Sequence, residues 1–419
     1  MSYTRRSLPV SAGLGAIACA TMLLAACSTP APPRPPLVMP APVLVVSPPV
    51  AVTPAVPAVA TPVVPEAKPA PAPLFTPATF AALPGWRGDD LREAWPAFMA
   101  SCSVLDKKPE WAAPCSAARA VDGASDASVR QFFESSFVPH QVRAADGADS
   151  GLVTGYYEPL LRGARKRGGV FQTPLYGVPD DMVTVELAGV YPALKTMRLR
   201  GRLVGKKVVP YSTRAEIARS GIAGKELLWV DDAVEAFFLE VQGSGRVALD
   251  GGRETVRVAY ADQNGHPYKA IGRWLVEQGE MTAAQASAQS IKAWIAANPG
   301  RRQELFNVNP SAVFFREERL PDPRVGPKGA LGVPLTPARS IAVDPSFLPL
   351  GAPVFLSTTQ SNSELPMQRL VMAQDTGGAI RGEVRADFFF GFGHDASENA
   401  GRMKQRGALW VLLPKPVAP

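Results

Sequence analysis

Between Arg369 and Gly393 an apolar run, Leu370-Val371-Met372-Ala373, leads through Gln374 to the carboxylate of Asp375. Glycines at Gly377, Gly378 and Gly382 follow, and Asp387 then opens the run Phe388-Phe389-Phe390-Gly391-Phe392-Gly393. The pattern predicts two short strands, each delivering an aspartate near one glycine turn. A carboxyl group held against apolar walls suits general acid catalysis, because desolvation favours its protonated form. A loop aspartate capping its own turn gives the same local pattern, and this stretch alone leaves both readings open.

The N-terminal end has a different character. Arg5 and Arg6 form a basic region, Leu8 to Leu24 is mostly apolar, and Leu24-Ala25-Ala26-Cys27 is a small-residue cleavage site ending in cysteine. This resembles a bacterial lipoprotein signal. The resemblance implies that residues 1–26 are a signal peptide and that Cys27 carries the lipid that ties the chain to a membrane. With Ser28 next, it also implies the outer membrane of a Gram-negative bacterium, facing the periplasm. A plain secretory signal with an incidental cysteine is the alternative.

Residues 27–76 are expected to be a tether. Prolines recur from Pro30 to Pro73 among alanine and valine, and proline denies such a segment both helix and sheet ladder. In a polyproline conformation, at about 3.1 Å per residue, it reaches on the order of 150 Å at most.

The remainder is long enough for two domains with their own cores. The formal net charge of +7 is compatible with an anionic polymer as partner and equally with a solubility role. No Lys/Arg cluster interleaved with aromatics occurs, so nucleic acid is not indicated. Outside the signal only Cys102 and Cys115 remain, and in an oxidising compartment they are expected to form a disulfide. His140, His266 and His394 are the only histidines and none is paired at helical spacing, so no metal is expected. No cofactor motif is present either; the glycines near Gly243 lack the lysine and the opening helix of a phosphate loop.

Helices are predicted over 89–100 and 125–135, each opened by Asp or Ser. Gly151 to Glu158 is predicted as a strand that Pro159 ends. Phe237-Phe238-Leu239-Glu240-Val241 is read as a strand leading into Gln242-Gly243-Ser244-Gly245, and β pattern continues at 247–249 and 255–260. Helices follow at about 268–278 and 282–297, then a strand at 312–316. The chain then returns to β pattern around Ile341-Ala342-Val343-Asp344 and 350–356. This order suggests one domain inserted in another.

Several motifs together carry a family resemblance. Thr154-Gly155-Tyr156-Tyr157, Val241-Gln242-Gly243-Ser244-Gly245, Asn264-Gly265-His266-Pro267-Tyr268 and Asn309-Pro310-Ser311 with Phe314-Phe315 resemble, in that order, the membrane-bound lytic murein transglycosylase A family. Ile341-Ala342-Val343-Asp344, Gln374-Asp375-Thr376-Gly377-Gly378-Ala379-Ile380 and Ala386-Asp387 resemble its three-aspartate domain. The resemblance implies a mainly β fold with a few helices, in which 77–158 and 318–414 form a double-psi β-barrel and 159–317 a second small β-barrel inserted in it, with a glycan groove between them. It implies Asp387 as catalytic acid, with Asp375 and Asp344 orienting or polarising it. Thr154, Tyr156, Tyr157, Gln242, Gly243 and Ser244 would line the groove.

Two departures from the family pattern stand out: Phe388-Phe389-Phe390 is more aromatic than usual, and the Asp375-to-Asp387 spacing is one residue longer. If the register differs, Asp375 is the next candidate acid.

The chemistry implied is cleavage of peptidoglycan glycan strands between N-acetylmuramic acid and N-acetylglucosamine, giving 1,6-anhydromuramic acid without consuming water. Three other readings fit parts of the chain. A two-carboxylate hydrolase would use the same acid but leave a reducing sugar. A non-catalytic peptidoglycan-binding lipoprotein could use the same groove. Asp375-Thr376-Gly377 and Asp149-Ser150-Gly151 match the short aspartic-protease signature, but Asp149 follows a loop sequence rather than an apolar strand.

Overall fold

The computed structural model describes residues 74–416 except 195, 196 and 321. The expected signal peptide, Cys27 and nearly all of the tether lie outside the described residues. The chain runs β1 (Phe75–Pro77), α1 (Trp95–Leu105), α2 (Pro109–Ala118), α3 (Asp126–Ser136), β2 (Phe137–Val142) and β3 (Gly151–Glu158). A middle section follows: β4 (Leu160–Ala164), β5 (Thr173–Tyr176), β6 (Met182–Thr184), β7 (Arg200–Val204), β8 (Lys207–Pro210), α4 (Arg214–Ser220) and β9 (Glu226–Val230). It continues through α5 (Ala233–Gln242), β10 (Ser244–Leu249), β11 (Glu254–Gln263), α6 (Ile271–Glu277), α7 (Ala288–Ala297), α8 (Arg302–Asn307) and β12 (Val313–Arg319). The last part is β13 (Ser340–Ala342), β14 (Pro353–Thr359), β15 (Pro366–Asp375), β16 (Arg385–Phe392), α9 (His394–Arg402) and β17 (Lys404–Pro414).

The fold is mainly β. Strands from both ends of the chain share one sheet in the order β1-β2-β17-β14-β15-β13-β16-β3, and β17 also pairs with β3. The last six of these strands therefore close into a ring, which removes the free edges an open sheet would expose. Two pairs in the ring, β13 with β15 and β16 with β3, are parallel. The middle section builds a second sheet, β12-β11-β10-β4-β9-β5, whose outer strands approach through a bridge between Gly177 and Phe315.

Each sheet has its own core. Phe355, Leu370, Val371, Phe388 and Val411 are fully or almost fully buried in the ring, with Phe98, Phe133 and Phe137 packed on it from α1, α3 and β2. The helical cap is tied to the ring by charge. Arg339 donates to both carboxylate oxygens of buried Asp89 at 2.8 Å, and Leu370 N donates to Asp89 Oδ2 at 2.7 Å. Cys102 on α1 and Cys115 on α2 form a disulfide (S–S 2.06 Å).

Three predicted elements differ. The helix expected over 89–100 is a single tight turn at Leu91–Glu93 followed by α1, and Asp89, expected to open it, accepts from Arg339 instead. Residues 237–241 are not a strand but the end of α5, whose start is capped by Asp232 Oδ1 accepting from Val234 N and Glu235 N. Ala236 and Leu239 pack into the second sheet's core, while Phe237 and Phe238 pack on α6, α7 and α8. A helix buried on two sides shows no polar face, so its apolar run cannot be told from a strand by period alone. The helix expected from Thr282 begins only after Ser287, because Thr282 closes a local turn with Gln285.

Candidate active site

Three backbone registers bring the site together. Ala342 on β13 lies opposite Asp375 on β15 and opposite Asp387 on β16, and Asp387 lies opposite Thr154 on β3. The two aspartates predicted near one turn are thus on strands separated by β13, in the same row across the ring. Sequence alone puts the two strands at one glycine turn without saying whether they pair. The parallel pairing of β13 with β15 puts a strand between them.

Asp387 is half-buried and accepts a 2.5 Å hydrogen bond on Oδ1 from the Thr154 hydroxyl. Burial pushes its pKa up, partly offset by the Arg385 guanidinium and the Thr154 hydrogen bond. Asp375 is pushed up to about 6, by burial first and with a contribution from the Asp387 charge, against hydrogen bonds from Ala330 N, Thr376 N and the Tyr156 hydroxyl. These bonds measure 2.9, 2.9 and 3.1 Å. Asp375 is therefore held from three sides.

Asp344 has another job. Its carboxylate accepts from Ser346 N at 3.1 Å and Gly382 N at 3.0 Å, pinning the glycine-rich connection between β15 and β16. By strand alternation Phe389 shares the Asp387 side of β16, and its ring packs on Tyr156 with centroids 5.1 Å apart. Phe388 and Phe390 point the other way, into the ring core and toward α9. Phe392 lies under the Arg246 guanidinium.

A groove of about 890 Å³ runs between β3, α9 and β17 on one side and α5, α6 and α7 on the other. Thr154, Tyr157 and Gln242 line it, and Gln242 Oε1 accepts from Tyr157 N at 3.0 Å across the two walls. Tyr156 lies beneath, on Asp375. Gly243 ends α5 with φ 84°, the left-handed conformation that favours glycine, and Ser244 starts β10. Gly155 is needed for a different reason: a Cβ there would stand 2.9 Å from Ala400 Cα, so α9 could not sit against β3.

Of the remaining motif residues, Tyr268 also lines the groove, while Asn264 and Asn309 are scaffolding. Asn264 is buried and its amide bonds Ser212 O, Pro310 O and Ala312 N, while Asn309 Oδ1 accepts from Lys269 N and Ser311 N. Sequence reasoning passed over Arg385, whose Nη2 donates to Thr154 Oγ1 at 2.8 Å. Its place two residues before Asp387 on one strand was the available signal.

Residues 152–316 match the model of the MltA specific insert domain, and residues 339–413 match that of the 3D domain. The chain belongs to the MltA family. The membrane-bound lytic murein transglycosylase A of Escherichia coli K12 is 32% identical over 286 residues, 66% of this chain and 70% of that one. The solved structure of the lytic transglycosylase LtgG of Burkholderia pseudomallei is 48% identical, with a TM-score of 0.55 over 83% of this chain and 97% of that one. E. coli MltA solved with bound chitohexaose is 25% identical, with a TM-score of 0.63 over 83% of this chain and 96% of the other. Within the MltA match, β3 and α5 supply Thr154, Tyr157 and Gln242, and within the 3D match β15 and β16 supply Asp375 and Asp387, with Asp344 just past the end of β13.

Proposed function

We propose that this chain is a peptidoglycan lytic transglycosylase in which Asp387 serves first as acid and then as base. The observation that carries the reading is a carboxyl with a raised pKa, hydrogen-bonded to Thr154, which itself lines the groove of about 890 Å³. Membership of the MltA family supports the reaction class, and the chitohexaose complex of a relative supports a glycan strand as occupant.

In this mechanism protonated Asp387 gives its proton to the glycosidic O4 as the bond from C1 of N-acetylmuramic acid to that oxygen breaks. The 2-acetamido group stabilises C1. The C6 hydroxyl of the same sugar then attacks C1, and the Asp387 carboxylate takes its proton, restoring the acid. The products are a 1,6-anhydromuramoyl end and a free 4-hydroxyl on N-acetylglucosamine. One titrating group suffices because the nucleophile belongs to the substrate, whereas a two-carboxylate hydrolase needs a second group to activate water or attack. Asp375, held by two amides and Tyr156, stays in place as a neighbour that disfavours a second negative charge. Asp344 fixes the connection that positions both strands.

The catalytic domain in this reading comprises 77–158 and 318–414, with 159–317 inserted. A lipid on Cys27 would hold it to the outer membrane, with the 27–76 tether giving reach to the wall. Mass spectrometry of purified peptidoglycan digested by the protein tests the reaction: anhydromuropeptides are expected, and reducing ends would indicate a hydrolase. A folded protein that binds the wall and yields no products would be a binding module.

A further inference from the structure

Arg385 opens β16 two residues before Asp387, on the same side of the strand. Its Nη2 donates to Thr154 Oγ1 at 2.8 Å, and its Nη1 is held by the carbonyls of Leu152 (3.3 Å) and Ala386. A guanidinium can only donate. Thr154 Oγ1 is therefore the acceptor in that contact, and its single proton is left for the 2.5 Å contact with Asp387 Oδ1. While Asp387 is a carboxylate, the chain Arg385 to Thr154 to Asp387 has one possible direction; a proton on Oδ1 would make Thr154 accept twice and leave its own proton without this partner, so the arrangement favours protonation on Oδ2.

We propose that Arg385 is a positioning residue: by fixing the direction of the Thr154 hydroxyl it makes Oδ1 of Asp387 the accepting oxygen and leaves Oδ2 to carry the proton delivered to the substrate. This deepens the transglycosylase reading and rests on it. When Oδ2 gives its proton to the glycosidic oxygen, the charge left on the carboxylate is met by a hydroxyl already aimed at Oδ1 and by a cation one hydrogen bond further on. No side chain has to turn at that moment, which is how preorganised donors lower a barrier. When the sugar's C6 hydroxyl returns a proton, Oδ2 is again the free oxygen.

The charged and titrating groups around Asp387 are few. Arg385 shares its strand, Tyr156 stands on β3, Asp375 on β15, and Lys404 on β17 lies opposite Thr154. Lys404 Nζ donates to Ala283 O at 2.8 Å, and Asp344 is engaged by backbone amides. Arg385 is thus the cation coupled to Asp387 through a hydroxyl.

The test is a double-mutant cycle on the full chain, with anhydromuropeptide release measured against pH for Arg385→Gln, Arg385→Lys, Thr154→Val and the double variant Arg385→Gln/Thr154→Val. Thermal melts of each confirm folding. Arg385→Gln is expected to lower kcat about tenfold with KM changed by less than about twofold, while in the Thr154→Val background the same change costs less than about twofold. The alkaline limb of the pH profile should move to higher pH in Arg385→Gln, since the cation favouring the carboxylate is gone, and stay near the parent's in Arg385→Lys. No loss, or an equal loss in both backgrounds with an unmoved limb, overturns the assignment. A parent protein that itself releases no anhydromuropeptides overturns the transglycosylase reading, which separates that failure from failure of the Arg385 role.

Discussion

The Tyr156 hydroxyl donates to Oδ2 of Asp375 at 3.1 Å, while the other oxygen of that carboxylate accepts from two backbone amides. An asparagine could keep all three contacts, with its oxygen toward the amides and its NH2 donating to the tyrosine oxygen. Asp375 is therefore a place where charge can be removed while shape is kept.

The pKa of Asp375 is pushed up to about 6 by burial and the neighbouring Asp387 charge, against an ordinary value of 3.8. A raised carboxyl pKa means that the folded state binds the proton more tightly than the unfolded one. Its contribution to stability is present below about pH 4 and is lost as pH rises to about 6 and beyond. Asp375→Asn removes that loss. The variant is expected to be more stable than the parent by about 1–3 kcal/mol above pH 7, with the difference shrinking toward zero at about pH 4. Urea unfolding at several pH values checks this, and a constant difference across the range would refute the charge argument.

Asp387 must be protonated to act as the acid, and its pKa is raised by burial. Activity is expected to fall as pH rises through that pKa, with a midpoint above the usual carboxylate range. Asp387→Asn should release at least about a thousandfold less anhydromuropeptide while binding glycan strands nearly as well as the parent, since the amide fills the same space. Product release followed by mass spectrometry, beside a wall-binding assay, separates the two effects.

Much of this site was legible in the sequence, and the limits of legibility have physical causes. Asp375 and Asp387 could be placed at strand ends from the apolar run and the glycines, because alternation and turn chemistry are local. That β13 separates their strands was not legible, since parallel pairing joins residues far apart in the chain. The reach of Thr154 to Asp387 spans 233 positions, so nothing local in the sequence shows that the two meet. α5 was missed because it is buried on two faces, which erased the helical period. The roles of Asn264 and Asn309 emerge only from their backbone partners, because a buried amide satisfying a loop and one facing a ligand look alike in a sequence.

Gln242 joins the two walls of the groove through its bond to Tyr157 N. Gln242→Ala removes the acceptor and leaves that amide without its partner. KM for glycan strands is expected to rise about threefold to tenfold with kcat changed less, the pattern of lost ground-state binding. Steady-state kinetics on a soluble glycan oligomer reads the split directly. An unchanged KM would show that water replaces the contact without cost.

Glu158 ends β3, and its side chain is the most buried charge at the junction between the ring and the second sheet. It accepts from Arg246 Nε at 2.8 Å and Arg257 Nε at 2.5 Å, and Arg257 also donates to Val325 O. Two cations from β10 and β11 thus converge on one anion from β3. Removing the anion leaves both guanidinium groups buried beside each other, and Arg246 Nη2 already has no protein partner. Glu158→Gln keeps the shape and loses the charge, and is expected to destabilise the protein by about 3–5 kcal/mol. The cost should fall where the two sheets meet. Hydrogen exchange is therefore expected to rise first in β3, β10 and β11, with the ring core of β14 and β15 protected as in the parent. Exchange rising uniformly with global unfolding would mean that Glu158 contributes to overall stability without specifically joining the two sheets.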